Sequence, residues 1–372
     1  MNISKKEAIS WLNFFSNLDD DEELLRDHEE ILLATFEQIE KACEYRYQNL
    51  KDEISGLKNL ANRSFYVGND KKFPKGCKSC LVGTGLCAIR KTNRCNIVCK
   101  FCYNYGELDS QPPIGSGMWE IGGSKYYEKD LELLLEVQKK PTGVCYVYLE
   151  PFMEIEKYYN VIKKFSEHNI HQHMYTNGTL VTEENLIELS KAGLDELRFN
   201  LGATNCSDKV IENIALAKKH IKYVGIETPM TPDFFKSFME KKDKILSTNL
   251  DFINCAELHL NPNNIYNYED ESMYMSRQGY ISPIWSRELT LKFMKIADDE
   301  GWDIVVHKCS NNTKFARGLN QGTKEGKPFG FNNYFNEFEK VPYEFFLNTL
   351  NDVNFNFLEE EQLPDRFYNG GF

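Results

Sequence analysis

Short runs of alternating hydrophobic and polar positions fill the middle of the chain, and stretches with helical apolar spacing separate them. A period of two is typical of β-strands, and a period of about 3.6 residues is typical of helices. The alternation predicts seven strands, near residues 86–91, 144–150, 171–176, 196–201, 223–228, 252–260 and 303–307. Helices are expected between them, for example after Thr182, whose hydroxyl can cap a helix N-terminus.

The spacing of these strands predicts a parallel sheet. From the second strand to the fifth, the starts lie 27, 25 and 27 residues apart, which is the length of a βα unit. Such units close into a barrel or form an open doubly wound sheet, and both belong to the α/β class. We divide the chain into an N-terminal helical extension (1–72), an α/β core (73–318) and a C-terminal extension (319–372) that caps it.

The segments flanking the strands carry different patterns. Ser4 and Glu7 form a capping box, and residues up to about 60 are predicted to be helical. Residues 61–76, which contain Asn, Gly and Pro, are interpreted as a linker, and residues 104–124 as a surface loop.

Polar side chains occupy one face of several predicted strands. In residues 196–201 the apolar face holds Leu197, Phe199 and Leu201, opposite Glu196, Arg198 and Asn200. In residues 252–261 the same alternation assigns Phe252, Ala256, Leu258 and Leu260 to the apolar face and Cys255, Glu257, His259 and Asn261 to the polar face. Because parallel sheets are normally covered on both faces, these rows favour a barrel with an open, polar, ligand-holding interior over a solvated sheet.

Charge and composition exclude some classes of protein. The net charge of −12 argues against a sequence-independent grip on nucleic acid, which requires a basic surface. There is no signal-peptide pattern and no run of about 18 apolar residues, so we expect no membrane segment and a cytoplasmic location. Clustered cysteines in that compartment indicate metal binding or catalysis.

Six of the 11 cysteines fall within residues 77–102. Cys95, Cys99 and Cys102 have CxxxCxxC spacing and directly follow the first predicted strand, at the end of a βα barrel where active sites lie. Thiolates select zinc or iron–sulfur clusters, and structural zinc takes four closed ligands. A [4Fe–4S] cluster on three cysteines would leave one iron open for a ligand. A zinc site and buried thiols are the alternatives.

The run TNRCNIVCKFCYN, with the aromatic Phe101 before the last cysteine, resembles the signature of the radical S-adenosylmethionine (radical SAM) superfamily. The resemblance covers roughly residues 77–318 and implies a partial (β/α)6 TIM-like barrel. It implies an oxidoreductase in which Cys95, Cys99 and Cys102 hold a [4Fe–4S] cluster that binds S-adenosylmethionine (SAM). An electron donor such as flavodoxin or ferredoxin would drive cleavage to a 5′-deoxyadenosyl radical, which abstracts hydrogen from a small-molecule or peptide substrate.

The resemblance also implies contacts to SAM. Residues 148–151 (YLEP) stand where the family has a Gly-Gly-Glu-Pro-like turn, so the glutamate and proline match while both glycines are absent. Thr176-Asn177-Gly178 matches a second turn, and the end of the fourth strand offers contacts to the SAM carboxylate and ribose. The implied cofactor-binding residues are Phe101, Glu150, Asn177, Arg198 and Asn200.

The upstream cysteines Cys77, Cys80 and Cys87 form a second group. The segment GCKSCLVGTGLC resembles the branch related to glycyl-radical (pyruvate formate-lyase) activating enzymes, which has extra cysteines before the signature. Three interpretations stay open: an auxiliary iron–sulfur cluster with Cys309 as a fourth ligand, a structural zinc site, or reduced thiols.

The substrate is the least constrained part of the prediction. Glu227, Glu257 and His259 are candidate substrate-site residues on the inner faces, and net negative walls would suit a cationic or amino-bearing substrate. Two other functions compete with the main one. The first is an activating enzyme that makes a glycyl radical on a partner protein, which the Cys102-Tyr103-Asn104 ending fits. The second is a noncatalytic iron–sulfur or zinc electron-transfer protein.

Overall fold

The computed structural model describes residues 47–60, 64–81, 85–106, 113–121, 124–131, 141–261, 263–268, 273–275 and 281–310. Most of the predicted N-terminal helical extension and all of the C-terminal extension lie outside these residues. Within them, no helix is long and apolar enough to cross a membrane.

One large sheet organises the described residues, and its strand order is β1-β2-β13-β10-β9-β8-β7-β6-β3-β4-β5. The seven strands from β13 to β3 in that order are mutually parallel, as the spacing predicted. The parallel strands are β3 (Gly85–Arg90), β6 (Gly143–Tyr146), β7 (His171–Thr176), β8 (Glu196–Phe199), β9 (Tyr223–Pro229), β10 (Phe252–Ala256) and β13 (Val305–Cys309). The sheet does not close on itself, so the fold is an open, partial barrel.

Antiparallel strands extend both edges of the parallel core. They are β1 (Lys58–Leu60) and β2 (Ser64–Gly68) beside β13, and β4 (Met118–Ile121) and β5 (Ser124–Tyr127) beside β3. A separate hairpin pairs β11 (Met273–Met275) with β12 (Ile281–Pro283). The linker interpretation of residues 61–76 was therefore wrong, because β2 pairs with β13. The interpretation of 104–124 as a loop missed β4, which aligns with Arg90 of β3.

Helices cover the outer face of the parallel strands. They are α1 (Lys75–Leu81), α2 (Tyr159–Glu167), α3 (Glu183–Ala192), α4 (Asp208–Ala217), α5 (Pro232–Glu240), α6 (Lys242–Leu246) and α7 (Ile284–Asp299). Thr182 caps α3 as predicted, since its side chain accepts from the Asn185 N–H at 3.3 Å. Gly193 ends this helix with φ 96°, a left-handed conformation that glycine adopts without strain.

Period-two alternation separates the apolar core from the barrel interior. In β8, Leu197 and Phe199 are fully buried in the main apolar core, and Arg198 faces the interior cavity, as predicted. The phase predicted for β10 was wrong. Ile253 and Cys255 belong to the apolar core, and Asn254 and Ala256 line the cavity. The prediction took its phase from Glu257 and His259, which come after the strand ends at Ala256 and so no longer follow its alternation.

Helix α1 differs from the others, because it crosses the amino ends of the strands. A Cβ atom on Gly143, the first residue of β6, would lie 2.7 Å from the Ser79 hydroxyl. Phe73 and Cys77 pack with Phe252 and Val305, which begin β10 and β13. Helix α1 therefore covers the amino end of the barrel, and the interior opens toward the carboxyl ends of the strands.

Candidate active site

A cavity of about 400 Å³ fills the barrel interior and reaches the carboxyl ends of the strands. This volume is within the range of small-molecule sites. Its wall includes seven cysteines from α1, from the strands and from the segment after β3. They are Cys77, Cys80, Cys95, Cys99, Cys102, Cys145 and Cys309. All three cysteines of the CxxxCxxC run therefore face the space into which the strand-end residues project.

The segment that carries these three cysteines (residues 94–105) is called the cysteine loop below. It turns tightly, with the Cys102 N–H donating to the Cys99 carbonyl at 2.9 Å. Burial, together with the nearby Cys102 and Cys95 thiols, raises the pKa of the Cys99 thiol to about 12. The mutual influence of the three thiols shows that their sulfur atoms are gathered in one place.

Asn177 joins the cysteine loop to the turn after β7. Its Nδ2 donates to Asn96 Oδ1 at 2.8 Å and lies 4.0 Å from Cys95 Sγ. Its Oδ1 accepts from the Thr179 N–H at 3.0 Å, which fixes the orientation of the amide. Asn177 lines the cavity, so this predicted cofactor-contacting residue also positions the first cysteine.

Glu150 has a different environment from the one the sequence suggested. The carboxylate is fully buried and is not part of the cavity wall. It accepts from the Asn177 N–H at 2.6 Å, the Thr176 hydroxyl at 2.8 Å and the Phe152 N–H at 3.1 Å. Burial raises the pKa of the Glu150 carboxyl to about 7, and the three hydrogen bonds oppose this rise. Glu150 thus braces the turn that carries Asn177.

The two residues before Glu150 compensate for the missing glycines. Tyr148 has φ 80° and Leu149 has φ 56°, so both adopt the left-handed conformation that glycine favours. Both residues line the cavity. The chain therefore keeps a glycine-like turn at this position with non-glycine residues, and bears the strain.

An ionic group lies deep in the cavity around Arg198. Its guanidinium pairs with Glu196 and Glu227, and Nη1 also donates to the Tyr175 hydroxyl at 3.1 Å. Burial would raise the pKa of Glu196, but Arg198 and the hydrogen bond from His171 outweigh it and hold this pKa far below its usual range. The predicted contact of Arg198 to a cofactor carboxylate would therefore have to compete with two carboxylates already in place.

Asn200 and Glu257 complete the upper wall. The Asn200 Oδ1 accepts from the Thr228 hydroxyl at 2.8 Å. Glu257 forms a two-point ion pair with Arg287 of α7, at 2.9 Å to Nε and 3.3 Å to Nη2, with both side chains only 2% exposed. The prediction of net negative walls overlooked Arg287. The carboxylates Glu227 and Glu257, which line the cavity, each have an arginine partner.

The floor contains a polar row that the sequence-based prediction missed. Glu227, Asn254 and His307 align across β9, β10 and β13 and all line the cavity. Asn254 Nδ2 lies 3.5 Å from Cys77 Sγ. Ser64 Oγ donates to the Lys308 carbonyl and lies 2.7 Å from His307 Nε2. Since the hydroxyl proton is used, Nε2 carries the imidazole proton and Nδ1 is an acceptor. Burial, with the charges of Arg198 and Lys308, lowers the pKa of His307 to about 3 and keeps the ring neutral.

Comparison with known proteins agrees with this arrangement. The family model of the radical SAM superfamily matches residues 89–240, a range that includes the cysteine loop and strands β6 to β9. The chain belongs to the radical SAM superfamily. Membership implies an enzyme that cleaves SAM reductively, with a [4Fe–4S] cluster, a reductant and a substrate.

Two relatives and one solved structure are similar to this radical SAM protein. A Methanocaldococcus jannaschii protein named as a glycyl-radical enzyme activating enzyme is 27% identical over 277 residues, covering 70% of this chain and 71% of that protein. A tungsten-containing aldehyde ferredoxin oxidoreductase cofactor-modifying protein of Pyrococcus furiosus is 22% identical over 182 residues, covering 43% and 48%. SuiB of Streptococcus suis bound to S-adenosylmethionine has 14% identity and a TM-score of 0.45, covering 61% and 50%. The chain thus spans about half the length of the last two.

The residues of the cysteine loop fit the cluster that the radical SAM family implies. Three soft thiol donors are gathered on one loop, beside a cavity with room for a ligand. Among the described residues, no group of three or more His, Cys, Asp or Glu side chains is arranged to hold a single metal ion. The fit therefore rests on the type and location of the donors.

Most of the predicted site residues meet in this cavity. Phe101, Asn177, Arg198, Asn200, Glu227, Glu257 and His259 line it, together with Cys77, Cys80 and Cys309. Glu150 lies behind the wall, and the Cys87 side chain lies outside the described residues. Asn254 lies at an alternating position of a predicted strand, so the right phase would have revealed it, whereas no sequence signal pairs Glu257 with Arg287.

Proposed function

We propose that Cys95, Cys99 and Cys102 are the ligands of a [4Fe–4S] cluster, and that SAM binds beside them, near Asn177 and Asn200. The observation that carries this proposal is the single cavity shared by the three cysteines and the strand-end residues. When bound, such a cluster supplies the electron that converts SAM into a 5′-deoxyadenosyl radical. The low exposure of the floor residues Asn254 and His307 would shield that radical from water.

The wall residues have separate roles in this proposal. Asn177 holds the cysteine loop against the turn after β7, and Glu150 keeps that turn in place. The left-handed Tyr148–Leu149 turn exposes backbone groups to the cavity, where an amino group of SAM could donate to a carbonyl. Asn200, held by Thr228, is placed for a hydroxyl or carboxylate contact.

The test is anaerobic reconstitution of the protein with iron and sulfide, followed by dithionite and SAM. We expect 5′-deoxyadenosine from the wild type and none from Cys95→Ala, Cys99→Ala or Cys102→Ala. Cys255→Ala is the matched control, because Cys255 is buried in the apolar core and is not part of the cavity wall. A wild type that binds a cluster but forms no 5′-deoxyadenosine would instead support a noncatalytic electron-transfer protein.

The electron donor is proposed to be a small low-potential protein such as flavodoxin or ferredoxin. The half-buried state of Cys95, Cys99 and Cys102 supports this, because an electron would have only a short path from the surface. Replacing dithionite by reduced flavodoxin or ferredoxin should sustain SAM cleavage, and failure of both donors would contradict the proposal.

The floor supports a substrate that presents N–H or O–H donors, such as an amino or hydroxyl group. Asn254 Oδ1 and His307 Nδ1 are buried acceptors with no hydrogen-bond partner among the described residues. Leaving such atoms unsatisfied costs free energy, so a ligand that donates to them gains it. With a substrate in hand, Asn254→Leu should raise KM about tenfold with a small change in kcat. An unchanged KM would contradict this substrate class.

A glycine in a partner protein is the second candidate substrate. The observation that favours it is the similarity to the Methanocaldococcus jannaschii protein named as an activating enzyme. The readout is a glycyl radical signal by electron paramagnetic resonance (EPR) after incubation with a candidate partner. A small-molecule or peptide product without that signal would favour the main proposal.

The upstream cysteines are proposed to hold an auxiliary iron–sulfur cluster, with zinc as the alternative. Cys77 and Cys80, three residues apart on α1, and Cys309 at the end of β13 line the same cavity. Metal analysis of Cys77→Ala/Cys80→Ala distinguishes the two, since loss of iron and sulfide indicates a cluster and loss of zinc indicates a zinc site. No metal loss would leave Cys77 as a reduced thiol, whose pKa is raised by burial.

A further inference from the structure

Four asparagines after β10 contact the backbone of the cysteine loop. Their side-chain amides donate to three carbonyls that are close in sequence. Asn267 donates to Lys100 O at 2.9 Å, Asn264 to Phe101 O at 3.3 Å, and Asn261 and Asn263 to Tyr103 O at 2.7 and 3.2 Å. We propose that Asn261, Asn263, Asn264 and Asn267 form a clamp that holds the cysteine loop in its ligand-binding conformation before any cluster is present.

The direction of two of these amides is fixed by their own loop. Asn261 Oδ1 accepts from the N–H groups of Asn263 and Asn264, both at 3.1 Å. Asn264 Oδ1 accepts from the Asn261 N–H at 2.9 Å. Because the oxygens are engaged within the segment, the Nδ2 groups must be the ends that face the cysteine loop.

The cysteine loop depends on these donors, because it forms few backbone hydrogen bonds of its own. The described ones within it are Cys102 N–H to Cys99 O and Tyr105 N–H to Cys102 O. A carbonyl away from water needs a partner, and Asn261 and Asn264 are 4% and 0% exposed. Side-chain amides therefore do for this loop what a neighbouring strand does in a sheet.

The clamp also connects the cysteines to the substrate side of the cavity. Asn264 Nδ2 lies 3.2 Å from His259 O as well as 3.3 Å from Phe101 O. The Tyr103 and His259 rings lie 5.5 Å apart, and both residues line the cavity. The four asparagines are thus positioning residues that hold the cysteine loop and the segment after β10 as one unit.

The sharpest variants are Asn264→Asp and Asn261→Asp. Aspartate keeps the oxygen that accepts within the segment and replaces the donor by a carboxylate oxygen facing a carbonyl. The assay is alkylation of the metal-free protein by iodoacetamide, resolved by peptide mass spectrometry. Losing the clamp should speed modification of Cys99 and Cys102 about tenfold, the change expected from losing one such hydrogen bond.

Asn213→Asp is the matched control, because Asn213 donates to another loop carbonyl, Gly178 O, at 2.8 Å. Its Cys99 and Cys102 rates should equal those of the wild type. Equal rates in wild type, Asn264→Asp and Asn261→Asp would overturn the proposal. So would a parallel rise at the buried Cys206, which indicates general loosening. If Asn264→Asp does not fold, Asn261→Asp and Asn263→Asp carry the same comparison.

The role of the clamp in catalysis rests on the proposed cluster, whereas the alkylation assay uses no metal. The two can therefore fail separately. In reconstituted protein, Asn264→Asp should change the EPR line shape of the reduced cluster relative to wild type, and Asn213→Asp should not. An unchanged line shape in Asn264→Asp would contradict a positioning role for the clamp.

Discussion

The ion pair between Glu257 and Arg287 makes a quantitative test of how the cavity wall is held. Glu257 directly follows β10, and its backbone N–H donates to the Cys309 carbonyl of β13 at 2.9 Å, while Arg287 belongs to α7. Both side chains are 2% exposed, so removing one leaves a buried charge without its main partner. Such a loss typically costs about 3–5 kcal/mol, against a total stability of about 5–15 kcal/mol for a domain.

We therefore expect Arg287→Met to lower the free energy of unfolding by about 3–5 kcal/mol. The double variant Glu257→Gln/Arg287→Met should lose less than the sum of the single variants, by about 1–3 kcal/mol, because neither charge is left alone. The assay is urea unfolding of the metal-free protein followed by tryptophan fluorescence. Lys295→Met is the matched control on the same helix, since its pair with Asp299 is exposed and should contribute little. Additive single variants would refute the argument.

Three further predictions concern local structure. The raised pKa of Glu150, about 7, means that its carboxyl favours the folded state at low pH, so stability should fall by roughly 3 kcal/mol as pH rises from about 4.5 to 7. Glu150→Gln should flatten this dependence in unfolding experiments, and an unchanged slope would contradict it. Leu149→Val should destabilise by at least about 1 kcal/mol because a β-branched residue resists positive φ, whereas Leu149→Gly should not. Thr182→Ala should cost about 1 kcal/mol in thermal unfolding, more than Ser207→Ala, whose side chain forms no cap hydrogen bond. Equal losses would show that the Thr182 cap is not stabilising.

Local patterns carried much of the fold into the prediction. Alternation requires only the order of residues along one strand, so β7, β8 and β9 were located within a few residues. Since the carboxyl ends of parallel strands meet at one edge, the strand-end residues Asn177, Asn200 and Glu227 were expected together, and they share one cavity with the cysteine loop.

Interactions between distant segments escaped the prediction. The partner of Glu257 lies 30 residues away on a helix, and that distance carries no spacing signal. Glu150 matched a family position by sequence, yet its three hydrogen bonds turn it into the frame behind the wall. Strand β2 is short and isolated in the sequence, and only its pairing with β13 makes it part of the sheet.

The helix α1 that covers the amino end of the barrel has a kinetic consequence. Arg198 and His173 lie so near Gly76 that a Cβ atom there would come within 2.6 Å of each, so the helix lies directly on the cavity floor. Ligands then enter and leave at the carboxyl ends of the strands, past the cysteine loop. A molecule bound at the floor must arrive before one that fills the level of the cysteines and can depart only after it. Traffic through this barrel is last in, first out.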